Sequence, residues 1–181
     1  MAQPKFCVAL NGRPNNIEWI LEHFGNCIYE VFIAAPSQIC PTGRWGHSPV
    51  AKVEIKRQVS LAHKYKVRYN VLLNGSCMNG MQFTYSFQKK IINFVKFLDE
   101  IKTDSVTVVD PFIISLIRQH SRIHIIAGSW TEVVEPIRAK RLVERGVNRI
   151  VLHQNIYRDF EMLKKIRELR DYLVEKVRQI P

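Results

Sequence analysis

Gly146-Val147-Asn148-Arg149-Ile150-Val151-Leu152-His153-Gln154-Asn155 is the stretch whose reading decides the fold. A helical pattern stops at the glycine, a short apolar strand follows over Ile150-Val151-Leu152, and the strand stops on three polar side chains. Apolar strands that end in polar groups beside a helix mark the carboxyl edge of a parallel sheet, where α/β proteins place functional residues. The pattern recurs upstream. Val106-Thr107-Val108-Val109 ends in Asp110-Pro111, and Ile123-His124-Ile125-Ile126 ends in Gly128-Ser129-Trp130.

Working outward, the same alternation covers the chain. A strand over Lys5–Leu10 ends on Asn11-Gly12-Arg13-Pro14, and a helix from about Asn16 carries Ile17, Ile20, Leu21 and Phe24 at helical spacing, with Gly25 as its stop. A second strand spans Tyr29–Ala35. The irregular stretch Ser37–Pro49 follows, then a basic helix over Val50–Tyr65 with Val53, Val59 and Ala62 available to a core. The third strand, Val67–Leu73, precedes a helix over Tyr85–Lys102 whose Phe87, Ile91, Phe94, Leu98 and Ile101 form an apolar stripe. Short helices are predicted from Pro111 to Arg118 and from Glu132 to Arg145, and a last one from Asp159 to Ile180 burying Met162, Ile166, Leu169, Leu173 and Val177.

Six βα units in strict alternation imply a parallel sheet with right-handed crossovers. No Gly-x-Gly-x-x-Gly follows the first strand, which argues against a dinucleotide-binding sheet. A closed barrel takes eight units in about 250 residues. The 181-residue sequence is therefore read as an incomplete (β/α)8 TIM-type barrel, residues 1–181 forming a single partial barrel domain with a long basic loop at 37–50. Either an oligomer or a carboxyl-terminal barrel segment is expected to complete the sheet.

At 46% hydrophobic the chain can bury a core. It shows no signal-peptide pattern and no apolar run long enough to span a bilayer. Cys7, Cys27, Cys40 and Cys77 are scattered, without paired spacing for a zinc site or a disulfide framework, so the expectation is a cytoplasmic protein with reduced thiols. The net charge of +11 is uneven: between Ser37 and Lys90 there are nine basic residues and one acidic residue, Glu54, a local surplus of +8. Such a concentration attracts nucleic acid or an acidic partner. A solubilising helix surface explains it equally well.

Taken together, Val106-Thr107-Val108-Val109-Asp110-Pro111, Ile123-His124-Ile125-Ile126-Ala127-Gly128-Ser129, and the run from Ala139 through Gly146 to Leu152 resemble the collagenase-like peptidase family of unassigned catalytic type. The resemblance spans about residues 66 to 165. It implies a (β/α)8 barrel and either peptide hydrolysis or participation in RNA or ubiquinone hydroxylation. Where family members often carry Ala-Arg-Glu after the strand, this chain has His153-Gln154-Asn155. The iron–sulfur cluster of hydroxylating members is held by cysteines beyond the region covered, so such a cofactor is expected only if the protein continues past residue 181.

Strand ends of a parallel barrel open on one face, so their polar groups are expected to converge there. Asp110 is a candidate general base or amine anchor, and equally a helix cap with Pro111 at the first helical position. His153 is a candidate proton-handling group, with Asn11, Arg13, Arg44, Asn74, Ser129, Gln154 and Asn155 as substrate-binding candidates. Cys77 has a nucleophile's position without sequence evidence of activation. Mid-strand His124 is read as structural. The absence of a strand-end lysine argues against Schiff-base chemistry, and no His-Glu-x-x-His or Gly-x-Ser-x-Gly occurs. The alternative is a non-catalytic module that binds nucleic acid or a partner through the basic 37–90 region.

Overall fold

A computed structural model describes residues 5–13, 15–42 and 50–178, with side chains as far as Leu169. The elements alternate as read. They are β1 (Phe6–Ala9), α1 (Asn16–Phe24), β2 (Ile28–Ala34), α2 (Lys52–Lys64), β3 (Arg68–Leu73), α3 (Tyr85–Glu100), β4 (Ser105–Val108), α4 (Pro111–His120), β5 (His124–Ala127), α5 (Pro136–Glu144), β6 (Arg149–Ile150) and α6 (Phe160–Arg178). Among the described residues the strands form one six-stranded sheet in sequence order, every pair parallel.

The sheet curls into a half-barrel, and one ion pair measures the curl. Arg149 on β6 donates from Nη2 to Glu30 Oε1 on β2 at 2.6 Å. In a flat sheet these strands would lie four spacings apart, about 19 Å, beyond the combined reach of the two side chains. Right-handed twist, accumulated strand by strand and backed by helices on one side, brings them together.

The helices cover the convex face. Val31, Ile33, Tyr69, Val71, Leu73, Val106, Val108 and Ile125 share one apolar core with Ile17, Ile55, Ile91, Phe94, Leu98, Ile113 and Leu142 of the helices. Each fully buried aliphatic side chain of this kind contributes about 1.5–3 kcal/mol over its exposed state. Caps and turns fix the helix ends. Asp110 Oδ1 accepts from the N–H groups of Phe112 and Ile113 at 2.8 and 3.0 Å, with Pro111 opening α4. At the end of α5, Gly146 takes φ +90, and a Cβ there would stand 2.7 Å from Arg118 Nε. Arg118 uses its guanidinium to hold the Gly146 carbonyl and Asn148 Oδ1 at 2.9 and 3.0 Å, tying α4 to the turn that feeds β6.

Several boundaries differ from the sequence reading. Strand β6 is two residues long rather than running through Leu152. Val151 N–H still reaches Ala127 O, but His153 N–H bonds to Val133 O in the β5–α5 loop, which draws the chain off the sheet. Helix α5 begins at Pro136 rather than Glu132, because a 3-10 turn over Ser129–Thr131 ends with Glu132 in the left-handed region. Val53 is 76% exposed, and Ile55, Gln58, Val59 and Ala62 form the buried face of α2. Phe24 lies outside the core, edge-on to Trp19. In α6, Met162, Ile166 and Leu169 are half-buried. Leu173 and Val177 lie beyond the described side chains, and Ile180 outside the described residues.

Candidate functional site: the hollow of the half-barrel

Strand side chains alternate between faces. With Val31, Tyr69, Val71, Val106 and Ile125 committed to the helices, their sequence neighbours Glu30, Phe32, Asn70, Leu72, Thr107 and Ile126 face the concave side. Parallel register sets them next to one another, Phe32 beside Asn70, Leu72 beside Thr107 and Ile126 beside Arg149. The resulting hollow has a volume of about 710 Å³ and takes side chains from all six strands, from Cys7 on β1 to Arg149 on β6. Asn74, Val109, Gly128, Ser129 and Trp130 line it at the carboxyl ends.

The floor is a closed polar network. Glu30, 2% exposed, accepts from Arg149 Nη2 at 2.6 Å, from Asn70 Nδ2 at 3.2 Å and from Ser105 Oγ at 3.3 Å. Asn70 Nδ2 also donates to Thr107 Oγ1 at 2.8 Å. A buried charge is tolerable only when paired and hydrogen-bonded, and here both conditions hold. Burial, then the Glu30 carboxylate, raises the pKa of the Cys7 thiol, with Arg149 opposing. His124, beside Ser105 in the register, is pushed below the ordinary histidine value by burial first and then by Arg68 and Arg149.

The mouth is built differently. Asn74 Oδ1 accepts from Thr42 Oγ1 at 3.3 Å, which orients the amide. Close packing holds this rim: a Cβ on Gly75 would stand 2.8 Å from the Pro41 carbonyl oxygen. Gly128 is flush with its neighbours, since a Cβ there would meet Val109 Cγ1 at 3.0 Å and Thr107 Cγ2 at 3.1 Å. Beyond it stand the Ser129 hydroxyl and the exposed Trp130 indole. An amide, a hydroxyl and an indole above a fixed polar floor suit a ligand that offers hydrogen-bonding groups and an apolar face.

Of the residues singled out from sequence, the structure brings Asn74 and Ser129 into the lining. Asn11, Arg13, Asp110, His153, Gln154 and Asn155 follow the carboxyl ends of their strands but do not line this hollow. Asn11 Oδ1 accepts from Arg13 N–H in a local turn. Asp110 caps α4 and takes a long contact from Gln82 Nε2 at 3.4 Å. His153 Nδ1 accepts from Asn155 N–H at 3.3 Å at the head of a 3-10 turn that includes Gln154. Arg44, with Trp45 beside it, lies outside the described residues. Cys77 is exposed, whereas Cys40 is buried with its pKa pushed up to about 11 by that burial. The basic surplus is dispersed: Arg57 is held by Glu54 and Glu18, and Lys52 lies over Phe97 at 5.1 Å.

Sequence reasoning missed Glu30, Asn70, Ser105, Thr107 and Arg149. Their signal was present as polar residues at concave-facing positions, one each on β2, β3 and β6 and two on β4.

A chain of this design is a barrel-type α/β protein with a hollow on the concave side of its sheet. It belongs to peptidase family U32, whose family model matches residues 17–177. An uncharacterized protease of Methanocaldococcus jannaschii is 28% identical over 145 residues, which is 77% of this chain and 42% of the relative. The chain thus spans less than half the length of that curated relative. The structure of the U32 peptidase Mk0906 superposes with a TM-score of 0.72 at 13% identity, over 93% of this chain and 66% of that one. The aldolase QR15 follows at 0.57 and 13% identity, covering 97% and 76%. At such identities the likeness is one of fold.

Among the described residues no three His, Cys, Asp or Glu side chains are gathered as metal ligands. Nor is any described helix long and apolar enough to cross a membrane.

Proposed function

We propose that this chain forms the ligand-binding wall of a peptidase-type barrel and that its ligand is a peptide held at the carboxyl ends of the strands. The observation that carries the reading is the hollow itself, whose floor is already satisfied by its own hydrogen bonds while its mouth presents Asn74, Ser129 and Trp130. Such a floor needs no reorganisation when a ligand arrives, which is the condition for preorganised recognition. Family membership and the relative's description as a protease favour a peptide over other amide-bearing ligands.

Asn74 and Ser129 hydrogen-bond the peptide backbone, and Trp130 covers an apolar side chain. Asp110 and His153 lie outside the lining, and with Asp110 Oδ1, Asp110 Oδ2 and His153 Nδ1 all engaged locally, His153 Nε2 is the atom left for proton transfer to a peptide that extends past the rim. The test is binding and turnover of a gelatin-derived peptide pool, followed by NMR and by mass spectrometry of new termini. Gly128→Val fills the hollow and should weaken binding about tenfold or more at unchanged secondary structure. Equal binding by the variant removes the hollow as the site.

A second reading is favoured by the exposed, unburdened lysines of and after α2, Lys56, Lys64 and Lys66: a non-catalytic module for nucleic acid. RNA affinity that falls steeply with salt, and is abolished by charge reversal at these three positions, would support it. Retained peptide turnover in the same variants would support the enzyme.

A further inference from the structure

Beside the hollow, on the same carboxyl-end side of the sheet, the β3–α3 connection raises an apolar ridge that nothing in the described structure covers. Phe83 and Tyr85 are 65% and 78% exposed, and Met81 is 40% exposed. Phe83 packs edge-on against Phe112 of α4, with ring centroids 5.2 Å apart. Large apolar side chains exposed singly are ordinary, but a contiguous group of them marks an interaction surface.

The ridge is stiffly built. Gly80, at φ +76, turns the chain into a 3-10 segment, where Phe83 N–H bonds to Gly80 O at 3.1 Å and Thr84 N–H and Oγ1 both reach Met81 O. Gln88 Nε2 donates to Gln82 O at 3.1 Å and anchors the segment to α3. A partner would therefore meet a surface whose ordering cost is already met.

Two lysines stand at its edge. Lys89 lies one helical turn beyond Tyr85 on the same face of α3, and Lys90 adjoins it, both exposed. The carboxylate adjacent to Phe112, Asp110, is engaged through both oxygens: Oδ1 caps its own helix, and Oδ2 accepts from Gln82 Nε2 of the ridge at 3.4 Å. We propose that the Met81–Tyr85 ridge with Phe112 docks a protein partner through an acidic segment bearing apolar side chains, the acids meeting Lys89 and Lys90. Phe83 and Phe112 present edges to each other rather than parallel platforms, which suits interdigitating side chains better than stacked nucleobases. The docking is independent of what the hollow binds.

The test is selection of a random-peptide display library on the full chain, followed by anisotropy with the selected peptides and with a single-stranded RNA. The expected result is enrichment of acidic peptides carrying aromatic or aliphatic residues. Their affinity should drop about tenfold or more both in Phe83→Ala/Tyr85→Ala and in Lys89→Glu/Lys90→Glu, each variant keeping the wild-type circular dichroism. Three outcomes overturn the proposal: no such enrichment, peptides indifferent to both variants, or RNA binding that needs the same residues while peptides do not. Gly128→Val, which fills the hollow, should leave this binding unchanged, so failure here and failure of the peptide reading of the hollow are told apart.

Discussion

Replacing Arg149 by methionine tests the floor of the hollow most severely. Methionine keeps much of the apolar stem and deletes the charge that faces Glu30. The two partners are unequally placed: Glu30 is 2% exposed, while the Arg149 side chain keeps 30% of its surface. Removing the arginine therefore strands the buried member. Breaking a buried pair this way costs about 3–5 kcal/mol. Asn70 and Ser105 still donate to Glu30, but at 3.2 and 3.3 Å, and each such bond contributes only about 1 kcal/mol. The cation–π contact of Arg149 with Tyr29, 5.6 Å to the ring centroid, is lost as well and adds about 0.5–1 kcal/mol. These terms place Arg149→Met near 3 kcal/mol destabilised. Glu30→Gln should cost less, about 1–2 kcal/mol, because the half-buried arginine can turn to water. In the double variant no charge is stranded, so its loss should fall short of the sum by at least about 1 kcal/mol. Urea unfolding followed by circular dichroism reads this directly. With a slope of about 2 kcal/mol/M, the Arg149→Met midpoint should move down by about 1.5 M. A loss under about 0.5 kcal/mol, or strict additivity, would refute the reasoning.

Three further outcomes follow from the same geometry. His124, held below the ordinary histidine value by burial and then by Arg68 and Arg149, should titrate by NMR with a midpoint under about 6.5; a midpoint at or above that value contradicts its placement. Because its folded pKa is depressed, the stability it contributes is present above the unfolded value and lost as pH falls through the folded one, and His124→Gln should flatten that part of the pH–stability curve. At pH 8 iodoacetamide should alkylate Cys77 well before Cys40, whose pKa is pushed up to about 11; equal rates would place Cys40 at the surface. Gly75→Ala sets a methyl 2.8 Å from the Pro41 carbonyl oxygen and should destabilise by about 1–3 kcal/mol, a loss that calorimetry would register and whose absence would mean the two loops are not in contact.

The fold was legible because strand, helix and stop residues repeat in step from β1 to α6, and because Gly146 and the Asp110-Pro111 pair act as local punctuation. The helix stripe of α3 was equally plain. Burial in α2 was not, since Val53 and Ile55 are both apolar and only packing decides which turns inward. The site was read at strand ends alone, where Asn74 and Ser129 do meet the hollow. Asp110 answers first to its own helix, as Asp before Pro often does. The interior network escaped because Glu30 and Arg149 stand 119 residues apart, and sequence spacing carries no measure of how far a sheet curls. Alternation within the strands carried the missing clue: Glu30, Asn70 and Thr107 are each polar between two hydrophobic neighbours, whereas Arg149, preceded by Asn148, gave no such sign.

That curl is the account's central claim, and a nuclear Overhauser measurement between Arg149 and β2 tests it most directly. Cross-peaks from the Arg149 side chain to the Tyr29 ring and to the Glu30 methylene protons are predicted. A flat six-stranded sheet would hold those strands about 19 Å apart, and a well-resolved spectrum lacking these peaks would contradict the half-barrel.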